Sequence, residues 1–191
     1  AVGYRALKSI ETGNNNVAVG FCALNANTTA SVNTAIGDIA LLNNTTGHSN
    51  VAVGSSSLLA NSTGACNVAV GYASLTANTT ASYNTAVGYN SLKTNITGAA
   101  NTGLGYRSLE LNTGDNNTGL GYEAGAANAG GAGNTAVGKS SLCKNTTGNN
   151  NVSVGNAALF CNTTASNNVA VGTSALTSNT TGTRNVAVGC G

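Results

Sequence analysis

The sequence contains no proline, methionine or tryptophan, and only 4% of its 191 residues are aromatic and 6% charged. A mixed globular core needs large side chains of several kinds, so this composition argues against an ordinary globular domain. The seven lysines and arginines are scattered and the formal net charge is +2, so no basic stripe is available for nucleic acid. No long apolar run occurs, which argues against membrane insertion.

A 17-residue unit repeats along the whole chain, and "NTAVGYNSLKTNITG" at 84–98 is most of one copy. The glycine of its AVG triplet recurs at Gly3, Gly20, Gly37, Gly54, Gly71, Gly88, Gly105, Gly121, Gly138, Gly155, Gly172 and Gly189. The interval from Gly105 to Gly121 is one residue shorter than the others, because the segment "NTGDNN" lacks one residue of the usual Thr-Thr-Gly. A fixed period indicates stacked repeats, and we expect the deletion to lie in a turn.

Apolar side chains recur at two fixed positions of the unit. The residue before the glycine is always apolar, and we expect it to be buried: Val2, Val19, Ile36, Val53, Val70, Val87, Leu104, Leu120, Val137, Val154, Val171 and Val188. The fourth residue after the glycine is leucine, except at Gly125, and forms a second expected buried row: Leu7, Leu24, Leu41, Leu58, Leu75, Leu92, Leu109, Leu142, Leu159 and Leu176. The residue directly after the glycine includes Asp38 and Lys139, so we expect that position to face water.

These patterns predict an all-β fold, a parallel β-solenoid or β-roll of about eleven 17-residue coils. Residues 1–191 form a single repeat array without a separate cap or linker. Successive coils should stack about 4.8 Å apart, the usual distance between paired strands. The rows of alanine and serine beside the apolar positions predict a smooth face against which another rod packs, and hence a homo-oligomer.

One asparagine lies four residues before the glycine in every complete copy. Stacked asparagine side chains can hydrogen-bond from coil to coil and tolerate left-handed turns, so we interpret this row as a structural ladder rather than a binding row. Its members are Asn16, Asn33, Asn50, Asn67, Asn84, Asn101, Asn117, Asn134, Asn151, Asn168 and Asn185.

The unit in "NTAVGYNSLKTNITG" resembles the head repeats of trimeric autotransporter adhesins, which follow a Val-Ala-Ile-Gly-x-x-Ala/Ser theme, and also repeats of bacteriophage tail-fibre proteins. The resemblance covers the chain from Ala1 to Gly191. It implies a left-handed β-roll, three chains side by side, and a role in reaching and gripping surfaces. The leucine four residues after the glycine and the Asn-Thr-Thr-Gly turn depart from the adhesin pattern.

Residues suited to catalysis are scarce. His48 is the only histidine, and the acids are Glu11, Asp38, Glu110, Asp115 and Glu123. No two of these acids occupy the same position of the repeat, so we predict no paired-carboxylate site, no catalytic residue, no cofactor and no metal. The cysteines Cys22, Cys66, Cys143, Cys161 and Cys190 also lack the spacing of a zinc site.

Two modifications remain open from the sequence alone. The separation of Cys143 and Cys161 exceeds the period by a single residue, which places them on adjacent coils, either as a disulfide or as two free thiols. Eight Asn-x-Ser/Thr triplets share one position of the repeat and are either candidate N-glycosylation sites or simply good turn residues: Asn27, Asn44, Asn61, Asn78, Asn95, Asn145, Asn162 and Asn179.

The sequence favours a structural or adhesive rod at a cell or virion surface, a segment of an extracellular filament, adhesin or phage tail fibre. Expected partners are copies of itself, as a trimer or an end-to-end filament, and a cell-surface receptor or glycan. The chain enters on "AVGY" and leaves on "NVAVGCG", both within the repeated strand, so we expect the rod to continue beyond it. The alternative function is an ice-binding solenoid, because ranks of threonine such as Thr45-Thr46 can order water.

Overall fold

The computed structural model describes residues 1–191 and contains one sheet of eleven parallel strands, each three residues long, with no helix. The strands are β1 (Val17–Val19), β2 (Thr34–Ile36), β3 (Val51–Val53), β4 (Val68–Val70), β5 (Thr85–Val87), β6 (Thr102–Leu104), β7 (Thr118–Leu120), β8 (Thr135–Val137), β9 (Val152–Val154), β10 (Val169–Val171) and β11 (Val186–Val188). Their order in the sheet is their order in the chain. The predicted parallel β-solenoid is therefore confirmed.

The single shortened interval does not disturb the sheet. Thr102 in β6 pairs with Thr118 in β7, so the strands keep the register of the other pairs. The missing residue is absorbed in the turn, where Asn112 Nδ2 donates to the carbonyl of Gly114, the second residue after it. In other coils the same bond reaches the third residue, as from Asn61 to Gly64. The expected turn deletion is confirmed.

The inside and outside of each strand are the reverse of what the sequence analysis expected. The middle residue of β1 to β10 is buried, and Ala86 is fully buried, whereas the flanking residues point outward. Val19 is 38% exposed and Leu104 is 47% exposed. The prediction that the residue before the glycine forms a buried row is therefore wrong.

The reason for the reversal is the narrow interior of the coil. A methyl group added at Gly119 would lie 2.8 Å from Leu109 Cγ and 2.5 Å from Ser108 Oγ, so the leucine of the preceding coil already occupies the space facing the strand. At Gly119 not even a methyl group fits, and the other strands have only alanine, glycine or serine at this position. The small residues three after the glycine are also mostly inside, and Ser57, Ser74 and Ser91 are fully buried. The smooth outer face predicted from these small residues does not exist.

The leucine row is buried as expected, and Leu24 to Leu109 and Leu142 to Leu159 form the two apolar clusters of the core. Each leucine has a positive φ between 48° and 53°, and the residue two positions earlier also has a positive φ. The residue between these two does not have a positive φ, so the sign of φ alternates along the segment. The N–H groups of the two residues with positive φ then point in opposite directions along the rod. Cys22 N–H donates to Tyr4 in the preceding coil and Leu24 N–H donates to Ala40 in the following one. The segment is thus bonded to both neighbours without being a strand.

The glycine after each strand is required by its backbone and its surroundings. Gly88 has a φ of +133°, and an added Cβ would lie 2.4 Å from the carbonyl oxygen of Gly105 in the next coil. An L-residue rarely adopts this φ, and no side chain fits against a backbone at that distance. The glycine lets the chain leave the strand and turn within the width of one coil.

The predicted asparagine ladder lies inside the coil and joins neighbouring coils. Asn50 Oδ1 accepts the backbone N–H of Asn67 at 2.9 Å, while Asn50 Nδ2 donates to the carbonyl of Gly64 at 2.9 Å. The first bond recurs from coil to coil, for example from the N–H of Asn101 to Asn84 Oδ1 at 2.9 Å. The side chains thereby satisfy backbone groups that the short strands leave without partners.

Candidate functional site

The outward face of the sheet is an uninterrupted uncharged surface. Every strand presents valine or threonine at its first position and valine, isoleucine or leucine at its last, from Val17 and Val19 to Val186 and Val188. At about 4.8 Å per strand and 3.3 Å per residue, eleven strands cover a flat area on the order of 500 Å². Five of its twenty-two outward residues are threonines, so its apolar part is smaller than this area and lies within the range of the largest apolar patch on a typical monomer. We call this surface the strand face.

A row of stacked tyrosines follows the edge of the strand face. It occupies the position after the glycine and is exposed, as expected for that position. The rings of Tyr72, Tyr89, Tyr106 and Tyr122 stack in sequence, with centroids 5.1 to 5.5 Å apart and interplanar angles of 12° to 16°. Lys139 Nζ lies 5.9 Å from the centroid of the Tyr122 ring. Because each ring covers the next, the row presents ring edges and hydroxyl groups to solvent rather than open ring faces.

The threonine pairs of the turns are only partly available to solvent. In four of the six pairs the first hydroxyl is used within the rod; for example, Thr45 Oγ1 donates to Ser62 O at 3.0 Å and Thr146 Oγ1 donates to Thr163 O at 2.9 Å. The second threonine of each pair is exposed, and these residues are Thr29, Thr46, Thr80, Thr147, Thr164 and Thr181. The turns therefore supply one free hydroxyl row, not two.

The only salt bridges of the chain lie on the coil that begins at Gly105, which has the shortened turn, and on the coil that begins at Gly121, which lacks the leucine; we call these two the irregular coils. Arg107 Nε donates to Glu110 Oε2 at 2.5 Å, and Arg107 Nη1 donates to Glu123 Oε1 at 3.3 Å. Glu110 is buried and also accepts a hydrogen bond from Asn90 Nδ2 at 3.4 Å. Both carboxylates raise the pKa of Arg107, with the hydrogen bond to Glu110 as the largest cause.

Sequence reasoning missed this cluster, although its statement that no two acids share a position of the repeat is correct. It compared residues at the same position of the repeat, whereas Glu110 and Glu123 occupy different positions and meet through Arg107 on adjacent coils. The sequence does contain a pattern that indicates the cluster. Arg107 is followed by Glu110 within the same coil and by Glu123 at the equivalent position of the next coil.

One cleft opens beside this cluster, with a volume of about 220 Å³. Its lining consists of Arg107, Glu110, Leu111, Glu123, Ala126, Ala127, Cys143 and Lys144. The cleft exists because the coil in the middle has Ala126 and Ala127 where its neighbours have larger side chains. The same coil has Gly125 in place of leucine, and an added Cβ there would lie 2.8 Å from Leu109 Cδ2.

The thiol of Cys143 lies in the wall of this cleft. Burial raises its pKa, and the nearby Glu123 carboxylate raises it further, against the opposing effect of Lys144 and Arg107. The thiol is therefore held in its neutral, weakly nucleophilic form. All five cysteines are free, so the structure has Cys143 and Cys161 as two thiols and not as a disulfide.

The asparagines considered for N-glycosylation form a second internal ladder. Asn61 Nδ2 donates to Asn44 Oδ1 at 2.8 Å and to Gly64 O at 2.9 Å. Seven of the eight side chains are fully buried, namely Asn27, Asn44, Asn61, Asn78, Asn95, Asn145 and Asn162, and Asn179 has the same bonds at the last turn. A glycan on Nδ2 has no space in the folded coil, so these residues are turn and ladder residues.

His48 lies exposed in its turn, where Nδ1 is 3.2 Å from Ser49 Oγ. No three side chains of histidine, cysteine, aspartate or glutamate come together as metal ligands would. The structure also has no helix of the length and apolarity needed to span a membrane. Comparisons of the chain with protein-family models, with curated proteins and with solved structures give no match.

Proposed function

We propose that this chain is a structural and adhesive rod, a segment of an extracellular filament, adhesin or phage tail fibre. The observation that carries the proposal is the strand face, an uncharged surface of valine, threonine, isoleucine and leucine along the whole stack of coils. With eleven strands about 4.8 Å apart, the stack is about 50 Å long, so the surface is much longer than it is wide. This shape suits a spacer or fibre better than an enclosed site.

The strand face supports association with copies of the same chain. Two such faces packed together would remove on the order of 1,000 Å² from water, which reaches the lower limit of a specific interface. The strands of a second copy repeat at the same distance of about 4.8 Å, so its side-chain rows can stay in register with those of the first copy along the whole face. The resemblance of the unit to adhesin head repeats favours three copies side by side.

Association is tested by introducing charge on the strand face. Val70→Lys with Val87→Lys places two cations on neighbouring strands, and both residues are only partly buried in the single chain. We expect sedimentation velocity to show an oligomer for the native chain and a monomer for the double variant. The matched control is Thr63→Lys with Thr80→Lys, two exposed turn residues that are also on neighbouring coils, which should keep the oligomer. A native chain that remains monomeric at high concentration, with no fibres by electron microscopy, contradicts the proposal.

The second candidate function is ice binding, supported by the evenly spaced threonines and valines of the strand face. β5 to β8 all begin with threonine, which gives a continuous run of four outward hydroxyl-bearing residues, Thr85, Thr102, Thr118 and Thr135. The exposed threonines of the turns add a separate row. Thermal hysteresis of the purified protein decides this candidate. A clear effect that Thr102→Lys abolishes would rank ice binding above the structural rod.

A further inference from the structure

We propose that the cleft beside the Arg107 cluster binds a primary ammonium group carried on an aliphatic chain. The cleft lies on the surface of the irregular coils, apart from the flat strand face. Leu111 and Lys144 belong to the coils on either side of Ala127, so the walls are about two coil spacings, or roughly 10 Å, apart. This width accepts one extended alkyl chain between the walls.

The floor of the cleft suits an aliphatic chain. It is formed by the methyl groups of Ala126 and Ala127 beside the exposed side chain of Leu111, with the neutral Cys143 thiol in the wall. None of these groups offers a strong hydrogen bond, so a polar ligand lying flat on this floor would lose its water without replacement. A short alkyl chain instead gains from the removal of apolar surface from water.

The rim of the cleft suits a cation. Arg107 already donates to Glu110 and Glu123, and Glu110 is buried beneath it with a second partner in Asn90. Glu123 uses Oε1 for its bond to Arg107, which leaves Oε2 free, and its side chain is 25% exposed. An ammonium donor in the cleft can therefore pair with a free carboxylate oxygen, while the guanidinium of Arg107 in the same lining is already paired with both carboxylates.

The ammonium of Lys144 does not fill this position. Its Nζ lies 4.7 Å from the centroid of the Phe160 ring, on the coil that follows Lys144 and so on the side away from Ala127. The lysine contributes its aliphatic stem to the wall and leaves the carboxylate free for a second cation. Two sources share the required chemistry, a free alkylamine and a lysine side chain of another protein.

The test is titration of the full chain with butylammonium chloride at constant ionic strength, followed by the amide resonances of Ala126, Ala127 and Cys143. We expect saturable shifts with a dissociation constant in the millimolar range. Butanol and sodium butyrate serve as the uncharged and anionic probes and should bind at least fivefold more weakly. Nα-acetyl-lysine amide distinguishes the sources, because its binding shows that the cleft accepts a lysine side chain from a peptide backbone.

Three variants make the test specific. Glu123→Gln should weaken butylammonium binding at least fivefold, and Ala127→Leu should abolish it by filling the floor. Glu11→Gln removes an exposed carboxylate in the first coil and should leave binding unchanged. Circular dichroism establishes that each variant is folded. Absence of saturable shifts, equal binding of butyrate, or unchanged binding to Ala127→Leu would each overturn the proposal. The inference does not depend on the rod being adhesive, since it is measured without any partner protein.

Discussion

The orientation of the strands can be tested by placing the same substitution at two adjacent residues. Ala86 is fully buried in the middle of β5, whereas Val87 is partly exposed on the strand face. Ala86→Asp would bury a carboxylate in the apolar cluster that contains Leu75 and Leu92. Such a change costs several kcal/mol, and we expect a loss of about 4 kcal/mol or more in the free energy of unfolding.

The matched change at Val87 should be much milder. Val87→Asp loses the partial burial of one valine and its preference for a strand, which together amount to about 1–2 kcal/mol. Guanidinium unfolding followed by circular dichroism measures the unfolding free energy of both variants. Hydrogen exchange of the coils around β5 detects a loss of stability that is confined to these coils. Equal losses for the two variants would refute the assignment of alanine to the inside and valine to the outside.

The pH dependence provides an independent check of the same reasoning. A buried carboxylate has a pKa above its value in the unfolded chain, so it binds a proton more readily when the protein is folded. The loss caused by Ala86→Asp should therefore be smallest at acidic pH and grow as the pH rises above about 4, the pKa of aspartate in an unfolded chain. Val87→Asp should show no comparable trend.

Four further outcomes follow from other features. Gly88→Ala should lose about 3 kcal/mol or more of unfolding free energy, because the residue has a φ of +133° and a Cβ would lie 2.4 Å from a carbonyl oxygen. Val32→Asn should raise the melting temperature, with a gain of about 1 kcal/mol, because Val32 has a φ of 61° and asparagine occupies this position in four other coils. Cys143 should react with iodoacetamide more slowly than the exposed Cys190 at pH 8, because burial raises the pKa of its thiol and so lowers the thiolate fraction. The stability contributed by the neutral Cys143 thiol is fully present below the pKa of the unfolded thiol. It is lost as the pH rises through the higher pKa of the folded thiol. We expect no hydrolase, transferase or redox turnover, and any turnover abolished by His48→Ala would contradict this.

The period made the fold predictable, but it did not reveal which side of the strand faces inward. An alternation of small and large residues is compatible with either orientation, and we assumed that the larger residue is inside, as in an ordinary sheet. The row of leucines decides the outcome, because Leu92 and Leu109 occupy the space opposite the strand and leave little room for a side chain there. The leucine and the inward residue of the strand share the interior of the coil, so the outcome depends on the width of the coil. The residue pattern of a single strand does not give that width.

The candidate sites were harder to predict for a related reason. Residues at one position of the repeat stack on one another, so the asparagine and tyrosine rows follow directly from the period. In the Arg107 cluster, Arg107 and Glu123 share one position of the repeat, but Glu110 lies at another position of the same coil as Arg107, and the period alone does not place it against the guanidinium. Contacts between different positions of one coil, such as Arg107 with Glu110, are therefore what same-position reasoning misses.

The bond from each ladder asparagine to the backbone N–H of the next coil also has a consequence for the evolution of the chain. Asn50 offers its neighbour the same acceptor that Asn84 offers two coils further on, so every junction between coils is chemically alike. Unequal recombination between gene copies can then delete or duplicate a unit and leave both new junctions satisfied. The rod can therefore change length in steps of about 4.8 Å while the hydrogen bonds at each junction stay the same. Its length is thus a trait that selection can adjust separately from its surface.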